Sequence, residues 1–477
     1  MTLALLWILM QTQPASTQPT LPDPYAVPKA ERMEWYRRVV DRGKGLNGYD
    51  DYARAVKAYV RTYDFEHEEA IGKETAAWLI LNERIIPIRL DWPAEHEAGI
   101  KVWLRLNADA LRATRKAAAA ARCFPTDALR SPLDFESKPG DFSATSFRLL
   151  AHLHMADAGE KARNGRWAEA YRDWAIVYRI AAHGAWSATL MGSNVQKMIE
   201  RVAFDQFVTL AAATPPRDIA GLRRAVNDAW ALHTPSEEIL VFVDRLFFAE
   251  MIDRDHAWAR DELKDPKHRE TLEGVRGLGD NLKDLPAELR IGPSAFKSVD
   301  EYKSALLKGS PQETRRVAKE KIARESAWWE LPLPAAIPKI GEMRADVKKI
   351  ADGDPYLRFW TASNLMPPGR TRFFEASAQL YRRGLLTLFA LLEWKAKHRE
   401  WPATLDVLNL GDDAVDPFSV KPFVYRRSDD KKDFVLYSVG VNLTDDGGTE
   451  PSKETVIEDA DGDIVLWPRK APEYVAP

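Results

Sequence analysis

The densest concentration of reactive groups in this chain is a run of carboxylates near its carboxyl end. Between positions 442 and 463 lie Asp445, Asp446, Glu450, Glu454, Glu458, Asp459, Asp461 and Asp463 against Lys453 alone, eight acids to one base and a net charge of −7. Like charges packed so densely repel one another unless water or a cation lies among them. Calcium suits such a segment, since it accepts roughly six to eight oxygens in loose geometry. The spacing Asp459-x-Asp461-x-Asp463 matches the opening of an EF-hand, but Ile464 stands where that loop turns on glycine and Lys470 where it closes on glutamate. An EF-hand is therefore excluded. Two readings remain: a calcium site of another kind drawing on Asp445, Asp446, Asp459, Asp461 and Asp463, and a solvated acidic surface.

A second chemistry would use histidine. Asp253 and His256 stand three residues apart, as do Asp64 and His67, which puts each pair on one helical face, the arrangement by which helical bundles hold metals. His152 and His154 are two apart. No phosphate-cradling glycine loop, no Gly-x-Ser-x-Gly elbow and no His-Glu-x-x-His occurs. Cys123 is the only cysteine, which excludes an intramolecular disulfide and thiolate metal clusters. The 68 Lys and Arg nearly balance the 71 Asp and Glu, so the clustered positive charge of a dedicated nucleic-acid surface is not indicated.

These groups must be positioned by a largely helical chain. At 477 residues, with 45% apolar and 29% charged residues, the sequence is that of a large globular protein of two or three domains rather than a disordered or integral membrane one. The 16 Trp are expected as buried anchors between helices. Helical periodicity runs from Glu31 to Asp41, Asp50 to Thr62 and Glu68 to Leu81. Pro93 then opens a long Ala-rich helix towards Cys123. Around Gly165 the sequence Ala162 to Trp174 has the look of a tetratricopeptide-type helical hairpin, with Gly165 at the turn and Ala170, Tyr171, Trp174 and Tyr178 facing the partner helix, although only one copy is visible. Helices are expected again from Pro215 to His233 and from Ser236 to Glu262. A charged, Gly- and Pro-punctuated region follows to Gly309, and Glu313 to Trp329 reads as a charged helix. Pro367-Pro368-Gly369 marks a boundary, and the helix from Thr371 to His398 carries an all-round apolar run, Leu385 to Leu392, that other protein must cover.

Beyond that helix the sequence reads Asp416-Pro417-Phe418, then Lys421-Pro422-Phe423-Val424-Tyr425, then Leu436-Tyr437-Ser438-Val439-Gly440, the acidic loop, and Asp463-Ile464-Val465-Leu466-Trp467. This order resembles the end of the globular head of the major pseudopilins of type II secretion, an ending also found on exported bacterial proteins with helical bodies. The resemblance covers about the last 105 residues. It implies a helix packed on a small antiparallel sheet, with strands Phe423 to Arg427 and Phe434 to Val439, a polar hairpin from Ser428 to Lys432, and a loop that binds structural calcium. It adds Asn442 to the ligand set, at the position of the family's first loop aspartate. The family's amino-terminal processing motif is absent both at Met1 and before Thr371, so a pilus subunit is not expected.

The chain opens with eight consecutive apolar residues, Leu3 to Met10, ahead of a polar, Pro-rich stretch. That is the shape of a short secretory signal and far below the roughly 20 residues of a membrane span. The expected organisation is a signal and linker at 1–24, a helical body at 25–262, a charged helical linker at 263–369 and the pseudopilin-like module at 370–477. The expected fold class is mainly α, a bundle or short solenoid-like body with a small carboxyl-terminal α+β module. The expected function is that of a non-enzymatic, exported scaffold or interaction protein, periplasmic or secreted, which contacts an unidentified protein, no nucleic acid and no membrane interior. The alternative is a helical metal-dependent enzyme using Asp64, His67, Asp253 and His256.

Overall fold

A computed structural model describes residues 45–61, 65–85, 92–124, 144–185, 190–233, 244–262, 266–280, 297–313, 331–339, 368–450 and 461–468, with isolated positions between 30 and 37 and between 315 and 345. The helices are α1 (Tyr49–Ala58), α2 (Phe65–Ile71), α3 (Lys73–Ile85), α4 (Glu97–Leu106), α5 (Ala108–Ala118), α6 (Ala144–Arg163), α7 (Trp167–Gly184), α8 (Leu190–Ala213), α9 (Ile219–Trp230), α10 (Asp244–Ala259), α11 (Pro266–Asp280), α12 (Val299–Lys308), the short α13 (Leu333–Ala336) and α14 (Pro368–His398). A three-stranded antiparallel sheet follows, in the order β1 (Val424–Arg427), β2 (Phe434–Ser438), β3 (Ile464–Trp467). The chain is thus mainly α with a small carboxyl-terminal α+β element. Among the described residues no helix is long and apolar enough to cross a membrane.

Local chemistry explains where several helices begin and break. Asp218 caps α9 by accepting from the Gly221 amide at 2.9 Å, and Ser298 caps α12 by accepting from the Glu301 amide at 3.1 Å. The helix expected to run unbroken from Pro93 towards Cys123 is instead interrupted at Asn107, between α4 and α5. The buried Asn107 side chain bonds the main chain of Val60 in both directions, accepting from its N–H at 2.9 Å and donating to its carbonyl at 3.2 Å. The i→i+4 backbone bonds continue on both sides of Asn107, from its amide to the Trp103 carbonyl at 3.0 Å and from the Leu111 amide to its carbonyl at 2.9 Å. The side chain therefore ties the junction to a segment far away in sequence without breaking the backbone ladder.

The largest core is one continuous cluster that includes Tyr52 of α1, Trp103 of α4, Trp174 of α7, Phe207 of α8, Phe389 of α14, and Leu436 and Leu466 of the sheet. The hairpin of α6 and α7 turns at Gly165, whose φ of 72° is left-handed and favours glycine. Ala170, Tyr171, Trp174 and Tyr178 are all buried on it. Trp174 meets Phe207 at 5.1 Å between ring centroids, and Phe207 meets Phe389 edge-on at 5.1 Å, so three helices share one aromatic joint. Every residue of the Leu385 to Leu392 run is buried, as its all-round apolar character demands. A smaller core joins α10, α11 and α12 through Ile252, Trp258, Leu272, Tyr302 and Leu306. The main core crosses position 370 and the smaller one crosses position 263, so packing is continuous across both sequence boundaries.

Helix α14 packs against both the helical body and the carboxyl-terminal sheet. A methyl group at Gly384 would lie 3.1 Å from Leu466 Cδ1 of β3 and 3.3 Å from Phe204 Cε2 of α8. Glycine at this point lets the helix pack closely against the sheet and the body at once.

Candidate functional site

The carboxyl-terminal loop is held at its root by Asp416. This buried carboxylate accepts from the Phe418 amide at 3.0 Å, from the Ser419 hydroxyl at 2.8 Å and from the Ser438 hydroxyl at 2.8 Å. It therefore ties the Asp-Pro turn to the end of β2. Leaving β2, the chain turns at Gly440, where φ is 64° and an added methyl would lie 2.8 Å from the Gly462 carbonyl oxygen. The outgoing and returning limbs of the loop are thus in direct contact at their base.

Within the loop, the structure engages Asn442 and Asp446 with each other, the Asn442 amide donating to Asp446 Oδ2 at 2.8 Å. Asp445 is turned back onto the sheet. It accepts from the Tyr437 hydroxyl at 2.7 Å, from Arg426 Nη2 at 2.9 Å and from the Gly447 amide at 3.0 Å. The Tyr437 and Gly447 bonds, then the Arg426 charge, hold its carboxyl below the usual range. Asp461 is exposed, and Asp459 lies outside the described residues. Asp463 is fully buried: its Oδ2 accepts from the Gly448 amide at 2.6 Å and its own amide bonds the Thr449 carbonyl at 2.8 Å. Its Oδ1 has no hydrogen-bond donor among the described residues. Burial, with the neighbouring charges of Asp446 and Asp445, raises its carboxyl above the usual range against the opposing backbone bonds.

The loop carboxylates do not form a group of three within 4.8 Å among the described residues. Two partners of the loop were invisible in its own sequence. Tyr437 and Arg426 lie upstream, and strand pairing of β1 with β2, Arg426 opposite Val435, brings the guanidinium within reach of Asp445.

The histidine pairs fare differently. Asp64 lies outside the described residues, and His67 stands on α2. Asp253 and His256 do share α10, but Asp253 is taken up by ion pairs with Arg32 and Arg315. Burial, followed by the charge of Arg260, pushes the His256 imidazole down to about 4. The histidine and carboxylates that do converge among the described residues are His154, Asp157 and Asp173, on α6 and α7. Of these only His154 stands out in the sequence, because Asp173 arrives from the other arm of the hairpin. Compared with protein-family profiles, with characterised proteins and with solved structures, the chain shows no match.

Proposed function

We propose that this chain is a non-catalytic, exported helical scaffold whose carboxyl-terminal sheet is a pseudopilin-like module completed by a structural calcium ion. The observation that carries the reading is Asp463: a buried carboxylate, one oxygen of which has no donor among the described residues, with the charges of Asp446 and Asp445 nearby. An anionic oxygen without a partner in the interior is costly. A hard cation supplies what is missing, and the carboxylate, amide and main-chain carbonyl oxygens in which this loop is rich are the donors calcium selects, with Asn442, Asp446, Asp459 and Asp461 as the proposed further ligands. Asp445 contributes less than its sequence suggests, being neutralised by Arg426. The ion would close the loop onto the sheet, and so present a rigid surface at the end of α14 for a protein partner.

The test is thermal melting of the full-length protein in calcium, in magnesium and in chelator, since α14 is too deeply packed in the body for the module to be excised. Calcium at about 100 times its dissociation constant should add roughly 2.7 kcal/mol. Magnesium, with its small octahedral shell, should add less. Equal melting temperatures in calcium and chelator would sink the calcium reading. Cell fractionation with sequencing of the mature amino terminus tests export, and an intact Met1 in a cytosolic fraction contradicts it.

A further inference from the structure

His154 and Asp157 stand one turn apart on α6, and Asp173 faces them from α7 across the hairpin. One ligand atom from each lies within 4.8 Å of the others, and all three residues are buried. Neither ring nitrogen of His154 has a hydrogen-bond partner among the described residues, although the side chain is wholly inaccessible. Its Nδ1 lies 3.5 Å from Asp173 Oδ1, too far for a normal bond but aimed into the cluster. Burial lowers the proton affinity of this imidazole, against the pull of Asp173.

The two carboxylates are balanced by two cations. Arg115 of α5 pairs with Asp157 and, through Nε at 3.1 Å, with Asp173. Lys161 reaches Asp157 at 2.8 Å and also pairs with Asp173. With two negative and two positive charges the cluster is neutral, so a divalent ion enters only if a resident cation leaves. Lys161, buried between the two carboxylates, is the cation a metal would have to displace. It occupies the last turn of α6, and its long stem lets the ammonium swing out to water while the helix stays in place. Arg115, with a side chain 38% exposed, already stands at the solvent side.

We propose that His154, Asp157 and Asp173 form a binding site for a divalent first-row transition metal, with Lys161 as the internal cation that fills the site until metal displaces it. One imidazole nitrogen and two carboxylate oxygens are a donor set for zinc, cobalt or manganese rather than for calcium, and three protein ligands leave a coordination position open. This site is separate from the acidic loop in both residues and ion class.

Cobalt(II) is the probe, because its bound form absorbs in the visible. Metal-free full-length protein titrated with cobalt should take up about one equivalent with a visible band that excess zinc removes. His154→Gln should abolish the band, and Asp463→Asn should leave it unchanged. Lys161→Met should bind at least about tenfold more tightly, because the competing charge is gone. No cobalt band in the wild-type protein overturns the proposal, as does a band that persists in His154→Gln. Binding by Lys161→Met alone also overturns it, because the native site would then be closed by its own lysine. Should Lys161→Met not fold, the wild-type and His154→Gln titrations still decide.

Discussion

The Gly448 amide donates a 2.6 Å hydrogen bond to Oδ2 of Asp463, while Oδ1 of the same buried carboxylate has no donor among the described residues. This imbalance predicts opposite effects of Asp463→Asn in two media. Burial and the charges of Asp446 and Asp445 raise the Asp463 carboxyl, so without metal the folded state holds the proton more tightly than the unfolded one. The group's stability contribution is then greatest at acid pH and falls as pH rises from the ordinary carboxylate range through the raised value. In chelator at neutral pH, Asp463→Asn should equal or exceed the wild type in stability. In calcium it should be less stable by up to roughly 2.7 kcal/mol, the linkage lost at about 100 times the dissociation constant. Melting curves of both proteins in both media check this, and curves that do not cross contradict it.

At Gly384 the sheet and the helical body both approach α14 closely, with Leu466 and Phe204 at 3.1 and 3.3 Å from an added methyl. Gly384→Val forces both neighbours aside and should cost about 1–3 kcal/mol, the usual penalty for overpacking. Denaturant unfolding followed by far-ultraviolet and near-ultraviolet circular dichroism should shift together, because the displaced residues belong to one core. A valine variant as stable as the parent would contradict the tight contact.

The Asn107 side chain accepts from the Val60 amide at 2.9 Å and donates to the Val60 carbonyl at 3.2 Å, a carbonyl that also accepts from Trp103 Nε1 at 3.2 Å. Asn107→Ala leaves the Val60 amide without its acceptor, while the carbonyl keeps Trp103, and should destabilise the protein by about 1–3 kcal/mol. The helical content should hardly change, since alanine favours helix and would let α4 and α5 join. Equilibrium urea unfolding measures the loss.

His152 and His183 are buried and neutral. Burial, then the charge of Arg148, lowers the former to about 3; burial, then Arg179, lowers the latter to about 3. Their imidazoles take up protons readily only on unfolding, so their contribution is complete above about pH 6.5 and is lost as pH falls from there towards about 3, at up to about 1.4 kcal/mol per pH unit for each. Urea midpoints at a series of pH values should drop across that window. His152→Leu should flatten the drop, whereas an unchanged slope would place the acid sensitivity elsewhere.

Much of the architecture is legible without coordinates because its causes are local. The period of the apolar residues from Leu385 to Leu392 announces a helix covered on all sides, and every residue of that run is buried. Gly165 announces the turn of a hairpin, and the two strands joined by the polar connection at 428–432 were expected from the resemblance of this carboxyl-terminal run to the pseudopilin ending. The meeting of Asn107 with Val60 was not legible, because it joins the helix junction to a backbone partner far away in sequence that local propensity cannot see.

The same division holds for the sites. Sequence alone determined that carboxylates crowd the loop from 442 to 463, since charge density is a property of composition along the chain. Only the tertiary structure decided that Arg426 neutralises Asp445, that Asp463 is buried with one oxygen lacking a donor among the described residues, and that Asp173 is brought to His154 and Asp157. Strand register and hairpin packing set those meetings, and both depend on which faces bury together over long stretches of chain rather than on the residues beside each group.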